Sequence, residues 1–533
     1  MSDFFSLPKE QVDRIINLYR AGLFLETLSE LDTLILVHPK NAFLHNLRGS
    51  CYAKIDRKEQ AISSFRTAIS NEPIYEEAYN NLAIILAQNN QEHEAIKYFE
   101  RALKINPSSA ETYKNLGITM TRIGQFQDAI NTYVKALTID PNCPEIHFQI
   151  GINLDSIGNS EEALGYFKRV IEIQPNHVGS LILLGNKLKE SGKLEEAIKT
   201  YKKAVQIQPD LPEGYYNIGT TLSVIGKNHQ AIKYQIKALK IKPDFVEALL
   251  NLGLAFKEIG QLESAVKSYE NALKIRPKYL DVLYNLGIVL TELGQFEMAE
   301  ERYKQVLEIN PVHPGTRHML NSLLGKKSKS APRAYIQNLF DGYAFKFERN
   351  LVDKLKYNIP LLMKQRFNEQ NHKNVSKIMD LGCGTGLCGS KFRNETEFLY
   401  GIDLSEKMII QASKKNIYDD LYVSDLISGL NHFDMVFDLF LAADVFIYIG
   451  DLFPLFKVIR QYTNPNSLFI FSTEHSIEKD FNLQPNGRFS HSKNYIEEIS
   501  TKTGFKINHF ECSNLRKEKG KWITGGLYIL KII

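Results

Sequence analysis

Residues 244–277 read DFVEALLNLGLAFKEIGQLESAVKSYENALKIRP, and the same 34-residue pattern returns in phase along most of the first 313 positions. Prolines stand at 39, 73, 107, 141, 175, 209, 243, 277 and 311. Glycine recurs at 49, 117, 151, 185, 219, 253 and 287, with Ala83 once in its place, and alanine at 61, 95, 129, 163, 197, 231, 265 and 299. A fixed period of this length predicts stacked pairs of antiparallel helices rather than one globular core. Small side chains let the two helix axes approach. Proline ends each second helix because it has no N–H to donate and disfavours helix at the residue before it. Gly124, Gly158, Gly192, Gly226, Gly260 and Gly294 are expected at the turn inside each pair. An aromatic column running from Phe65 to Tyr303, broken at Gln235, is expected to fill the gap to the next unit.

These columns resemble the tetratricopeptide-repeat family, which implies an all-α superhelical solenoid over residues 1–313 with about nine repeats. Eight units are clear between 42 and 313, and a divergent one at 8–41 has Ile15 and Thr27 at the small-residue positions. That unit is expected to be a polar-faced N-terminal cap. A further column holds Asn81, Asn115, Asn217, Asn251 and Asn285. The resemblance implies a concave surface there, on which primary amides can donate to and accept from an extended peptide. The alternative is that these asparagines only satisfy local backbone groups. The expected partner of the repeats is a protein or peptide.

The bulk properties exclude several classes. With 44% hydrophobic and 24% charged residues the 533-residue chain can fold, and it is too long for one core. A net charge of +4 leaves no electrostatic footprint of a nucleic-acid binder. The basic stretch Lys326, Lys327, Lys329 and Arg333 reads as a solvated linker. Five scattered cysteines fit a reducing compartment, and Cys383 and Cys388 lack the partners of a zinc site. Charges at Lys9, Glu10, Asp13 and Arg14 interrupt any signal peptide, and the apolar window 435–449 is too short to span a bilayer. A cytoplasmic protein without a membrane span is expected. An amphipathic helix at Arg317–Leu324 should cap the repeats, and 314–334 reads as that cap plus a linker rich in glycine, lysine, serine and proline.

Beyond the linker, short apolar strands alternate with helices at 378–381, 398–402, 422–423, 436–441 and 468–471, which predicts a parallel sheet covered on both faces. The first strand runs into Asp380-Leu381-Gly382-Cys383-Gly384-Thr385-Gly386, a turn through which a ligand can approach the backbone closely. Gly384, Gly386 and Gly389 also fit the dinucleotide spacing, so the turn alone leaves NAD open. Asp380 favours a cation over a pyrophosphate. Asp403 at the end of the second strand can take ribose hydroxyls, and Asp425 at the end of the third can accept from an adenine amino group. Leu404 adjoins this set, and Ser405 caps a helix expected to present Met408 to the same cleft.

This half resembles the class I, seven-strand S-adenosyl-L-methionine-dependent methyltransferases, which implies a Rossmann-like α/β domain over 335–533 closed by a reversed hairpin at 505–510 and 527–531. The two-domain order is similar to a bacterial group of repeat-containing predicted methyltransferases. The residues that carry this likeness are Tyr335 to Ala344, including Tyr343 as a further cofactor contact, with Ala443-Asp444-Val445, Gly487-Arg488, His491-Ser492, Arg516 and Glu518. Methyl transfer needs alignment of nucleophile, methyl and sulfur. An amine or hydroxyl acceptor also needs a base, for which His491, Glu474 and Asp444 are the candidates. Three readings follow: a methyltransferase for a protein recruited by the repeats, a methyltransferase for a small molecule or metabolite, and a non-catalytic repeat scaffold.

Overall fold

The computed structural model describes residues 7–344, 347–348, 351–352, 355–370, 375–478, 480–518 and 521–533. It divides into two compact units, Met1–Asp210 and Leu211–Ile533. Helices run in tandem pairs from Lys9–Arg20 to Phe296–Ile309, eighteen in all, so the chain is a helical repeat solenoid followed by an α/β domain.

In the first unit the glycine column has a different neighbour from the one expected. A Cβ on Gly49 would lie 2.6 Å from the Phe65 ring, and one on Gly117 would lie 2.5 Å from Tyr133. Each ring thus fills the hollow over the glycine of its own repeat, and Phe65 also belongs to one core cluster with Leu82 and Leu86 of the next. A methyl added at Gly49 or Gly117 would force the ring to shift, whereas the repeat of Ala83 accommodates one beside Phe99 in the same core cluster. Turn geometry follows the sequence: Gly124 has φ +78° and Gly158 +86°, while the two repeats lacking this glycine use Asp56 and Asn90, both at φ 58°. The divergent first repeat folds as a helix pair with Ile15 and Thr27 buried. Its surface is not purely polar, because Leu25, Leu36 and Val37 are 67%, 84% and 69% exposed. Asn81 donates to Asn46 Oδ1 at 3.1 Å and Asn115 to Asn80 Oδ1 at 3.3 Å.

The second unit contains the remaining repeats and the sheet. Gln235, the departure from the aromatic column, takes the ring's place over Gly219 and is fully buried, its Nε2 donating to the Tyr216 carbonyl at 3.3 Å. Asn251 and Asn285 donate to carbonyls four residues back in their own helices, at 3.0 and 2.8 Å, and Asn217 is half-buried. The amide column therefore spends donors on the protein itself, which supports the local reading without consuming every acceptor.

The sheet comprises β1 (Val375–Leu381), β2 (Thr396–Asp403), β3 (Asp420–Val423), β4 (Phe437–Ala442), β5 (Thr463–His475), β6 (Phe481–Leu483), β7 (Phe489–His491), β8 (Phe505–Glu518) and β9 (Lys521–Ile532). Strands β3-β2-β1-β4-β5 are parallel neighbours, and β9 runs antiparallel between β5 and β8. Continuous apolar runs such as 439–442, buried throughout, are what a strand covered on both faces requires. Two layers of core side chains result, one around Phe440, Phe456 and Phe469, the other around Ile378, Leu399 and Ile470.

The hairpin β6–β7 was not expected. It pairs with β5 at Glu474 and His475, beyond the point where β4 stops, and so extends the sheet over the strand ends. The helix Thr316–Leu323, foreseen as a cap, packs on the turn of this hairpin. His318 Nε2 donates to the Gly487 carbonyl at 2.7 Å and Ser322 Oγ to the Pro485 carbonyl at 3.2 Å. Burial holds the His318 imidazole below its usual pKa, keeping it neutral in that bond.

Candidate functional site

Because β1 pairs with β2 on one side and β4 on the other, strand order reverses between β1 and β4. Helices crossing in opposite directions leave a crevice at such a point. A cavity of about 730 Å³ lies there, walled by Gly382 and Gly384 after β1, Asp403 and Leu404 after β2, Asp425 after β3 and Asp444 after β4.

The turn after β1 needs its glycines for two reasons. Gly382, Gly384 and Gly386 have φ of +67°, +55° and +85°, the left-handed region that other residues avoid. A Cβ on Gly382 would also meet Val445 at 2.6 Å, whereas one on Gly384 would meet only Phe347 at 3.4 Å. The backbone at Gly384 is therefore accessible from the cavity.

Asp403 organises this turn. Its Oδ2 accepts from Gly384 N–H at 2.9 Å and its Oδ1 from Ser405 N–H at 2.8 Å. Burial raises its carboxyl pKa to about 6, against the lowering effect of those N–H groups. Each oxygen keeps a lone pair for a ligand hydroxyl. Ser405 caps the next helix through Met408 N–H at 3.2 Å and donates to Asp341 Oδ1 at 2.5 Å. Asp425 also caps a helix, accepting from Ser428 N–H at 2.9 Å, and its other oxygen accepts from Arg333 at 3.2 Å. Although burial pushes the Asp425 carboxyl up, Ser428 and Arg333 hold it below its usual range.

Several expected site residues lie elsewhere. Asp380 is buried under the turn rather than facing the cavity: its Oδ2 accepts from Tyr418 hydroxyl at 2.7 Å, and burial raises its pKa to about 7. Its Oδ1 has no hydrogen-bond partner among the described residues. Gly386 also lies off the wall, against Tyr418. Met408 is fully buried, because the position three residues after the cap faces the core. His491 is buried beneath β7, its Nε2 donating to the Ile449 and Gly450 carbonyls at 2.9 and 3.0 Å. Burial lowers its pKa to about 4, so it is a neutral brace and not a base at the rim. Glu474 is buried against Arg516 and also off the wall, and burial raises its pKa. Asp444 does line the cavity. The Tyr343 side chain lies outside the described residues.

One wall was missed. The stretch read as a solvated linker is pinned along the loop after β4: Lys329 carbonyl accepts from Gly450 and Asp451 N–H at 2.9 Å each, and Ala331 N–H donates to Tyr448 carbonyl at 2.9 Å. Ser330 forms a bridge to Ile449, and Lys329, Ala331 and Arg333 line the cavity. Main-chain bonds make this strap, which composition does not reveal.

Family comparisons agree with this arrangement. Models described as tetratricopeptide repeat match residues 75–142 and 244–311, and 44–75, 144–177 and 212–245, and one described as TPR repeat matches 185–223. A model described as methyltransferase domain matches 372–523. Malonyl-acyl-carrier-protein O-methyltransferase of Erwinia pyrifoliae is 30% identical over 100 residues, 19% of this chain and 38% of that protein. The biotin biosynthesis bifunctional protein BioHC of Saccharophagus degradans is 28% identical over 102 residues, 19% of this chain and 18% of that protein. The chain thus matches well under two thirds of either relative's length. Among solved structures, YrrB, a TPR protein with an unusual peptide-binding site, is 24% identical, with 35% of this chain and 97% of that chain covered at TM-score 0.32. The MamA protein is 27% identical, with 32% and 92% covered at TM-score 0.31. Among the described residues no helix is long and apolar enough to cross a membrane. The chain carries tetratricopeptide repeats across residues 44–311 and, at 372–523, a methyltransferase domain with weak similarity to bacterial methyltransferases.

Proposed function

We propose that this methyltransferase domain uses S-adenosyl-L-methionine and acts on a protein recruited by the repeats. The observation that carries the reading is the cavity at the β1/β4 reversal, where Gly384 exposes backbone and the carboxylates of Asp403 and Asp425 face a common hollow. The carboxylates of Asp403 and Asp425 suit a cationic adenosyl group better than a pyrophosphate. On this reading Asp403 holds ribose hydroxyls, Leu404 covers the base and Asp425 accepts from its amino group, and all three line the cavity. The orphaned Oδ1 of Asp380 supports the same reading, because a buried acceptor without a donor is a place for a water-mediated contact to a ligand ammonium. When bound, the cofactor supplies an electrophilic methyl group. The chain's own residues orient it and keep water out.

Domain limits of 1–313, 314–334 and 335–533 belong to this proposal, as do a cytoplasmic location and a peptide held along Asn81, Asn115, Asn217, Asn251 and Asn285. Each of these amides is half-buried, and its carbonyl oxygen can accept from a peptide N–H. The full chain, incubated with host lysate and methyl-labelled S-adenosyl-L-methionine, should place label in a protein fraction. Label confined to small molecules would overturn the protein acceptor, and no transfer would overturn the enzyme.

A further inference from the structure

An ionic cluster stands at the cavity wall after β4 that the adenosyl reading does not use. Arg516, 1% exposed, donates from one terminal nitrogen to both oxygens of Asp444 at 2.8 and 2.6 Å, from Nε to Glu518 at 2.9 Å, and from its other terminal nitrogen to Glu474. Arg488 pairs with Glu518 and lies 3.5 Å from Glu474. Three carboxylates thus face two guanidiniums. The cluster holds one surplus negative charge, and both arginines are engaged by acids.

Of these groups Asp444, Arg488 and Arg516 reach the cavity, beside the rings of Tyr357 and Tyr448. Asp444 sits at φ +61°, a sparsely populated conformation that persists where surroundings enforce it. Arg516 enforces it from the side chain, and Ser472 Oγ from the backbone, accepting Asp444 N–H at 2.9 Å. A carboxylate is therefore held in a strained pose against the same cavity as Gly384 and Asp403.

We infer that this wall receives the methyl acceptor and that the acceptor is an amine. The inference rests on the S-adenosyl-L-methionine reading above. An acceptor carboxylate would meet surplus negative charge and arginines already engaged. An ammonium is attracted by Asp444 and by the faces of Tyr357 and Tyr448. On arrival the ammonium loses one proton to solvent by way of Asp444. The freed nitrogen lone pair then forms the N–C bond to the transferred methyl as the C–S bond breaks, and that bond's pair stays on sulfur. The products are an N-methylammonium and a neutral thioether.

Calorimetry on the full chain tests this. S-adenosylhomocysteine is titrated first, then Nα-acetyl-lysine amide, Nα-acetyl-glutamate amide or 2-phenylethylamine into the saturated protein. The lysine derivative should bind about 10-fold or more tighter than the glutamate derivative. In Asp444→Asn that preference should vanish, since asparagine tolerates the left-handed backbone and removes only the charge. Binding of 2-phenylethylamine alone supports an amine acceptor of small-molecule origin. Equal or tighter binding of the glutamate derivative, no binding of either amine, or an unaltered preference in Asp444→Asn overturns the inference. Failure of S-adenosylhomocysteine in the first titration overturns the cofactor reading beneath it, and is read separately.

Discussion

Arg516→Met is expected to destabilise the chain by about 3–5 kcal/mol, the cost of removing one partner from a buried ionic group. The arginine side chain is 2% exposed and holds Asp444, Glu474 and Glu518 at once. Methionine keeps much of the volume and none of the charge, leaving three carboxylates to Arg488. Urea unfolding should show the loss as a lower midpoint. The pH dependence fixes its cause. Burial already raises the Glu474 pKa against the opposing charge of Arg516, and loss of Arg516 should raise it further. An acid whose folded pKa is raised destabilises the fold above its unfolded value of about 4, and the penalty disappears as pH falls toward that value. The deficit of the variant should therefore shrink between about pH 7 and pH 4. A deficit that is absent, or that does not vary with pH, would show that the cluster does not hold this end of the cavity together.

Asp403→Ala should weaken S-adenosylhomocysteine binding on the order of 100-fold, equivalent to the loss of about 2–3 kcal/mol from hydrogen bonds to a charged group. Two effects combine. The ligand loses its carboxylate, and Gly384 N–H and Ser405 N–H lose the acceptor that fixes the turn. In the unmutated chain the carboxyl titrates near 6, so affinity should rise as pH increases from 5 to 7 and level off above. In Asp403→Ala that rise should flatten. Calorimetry across this range reads both effects, and retained affinity in the variant would remove Asp403 from the site.

The repeat half was legible in detail because a period of 34 fixes helix pairs, turns and proline stops together. What the period left open was the direction of the aromatic rings, since Tyr133 stands 16 residues after the glycine of its own repeat and 18 before that of the next, and these spacings do not decide between the two. In the sheet, alternation of strands and helices located β1 to β5, and the family resemblance supplied β8 and β9. The hairpin β6–β7 escaped because three-residue strands such as Phe489–His491 carry no period. That omission misplaced His491: a histidine in a polar stretch reads as accessible until β7 is seen paired with β5 at His475. Asp380 and Met408 were assigned by spacing from a motif, but burial depends on which side of the turn or helix the core lies. Arg488, Arg516 and Glu518 were singled out with no role, since residues 28 and 30 positions apart form a cluster only after the chain has folded. The strap at 329–331 rests on backbone hydrogen bonds, to which side-chain composition is blind.

The account depends on a cavity that selects a cationic adenosyl ligand over a pyrophosphate. Calorimetric titration of the full chain with S-adenosyl-L-methionine and with NAD measures that choice directly. One equivalent of S-adenosyl-L-methionine should bind, and NAD should give no heat. Binding of NAD in preference, or silence with both, would contradict it.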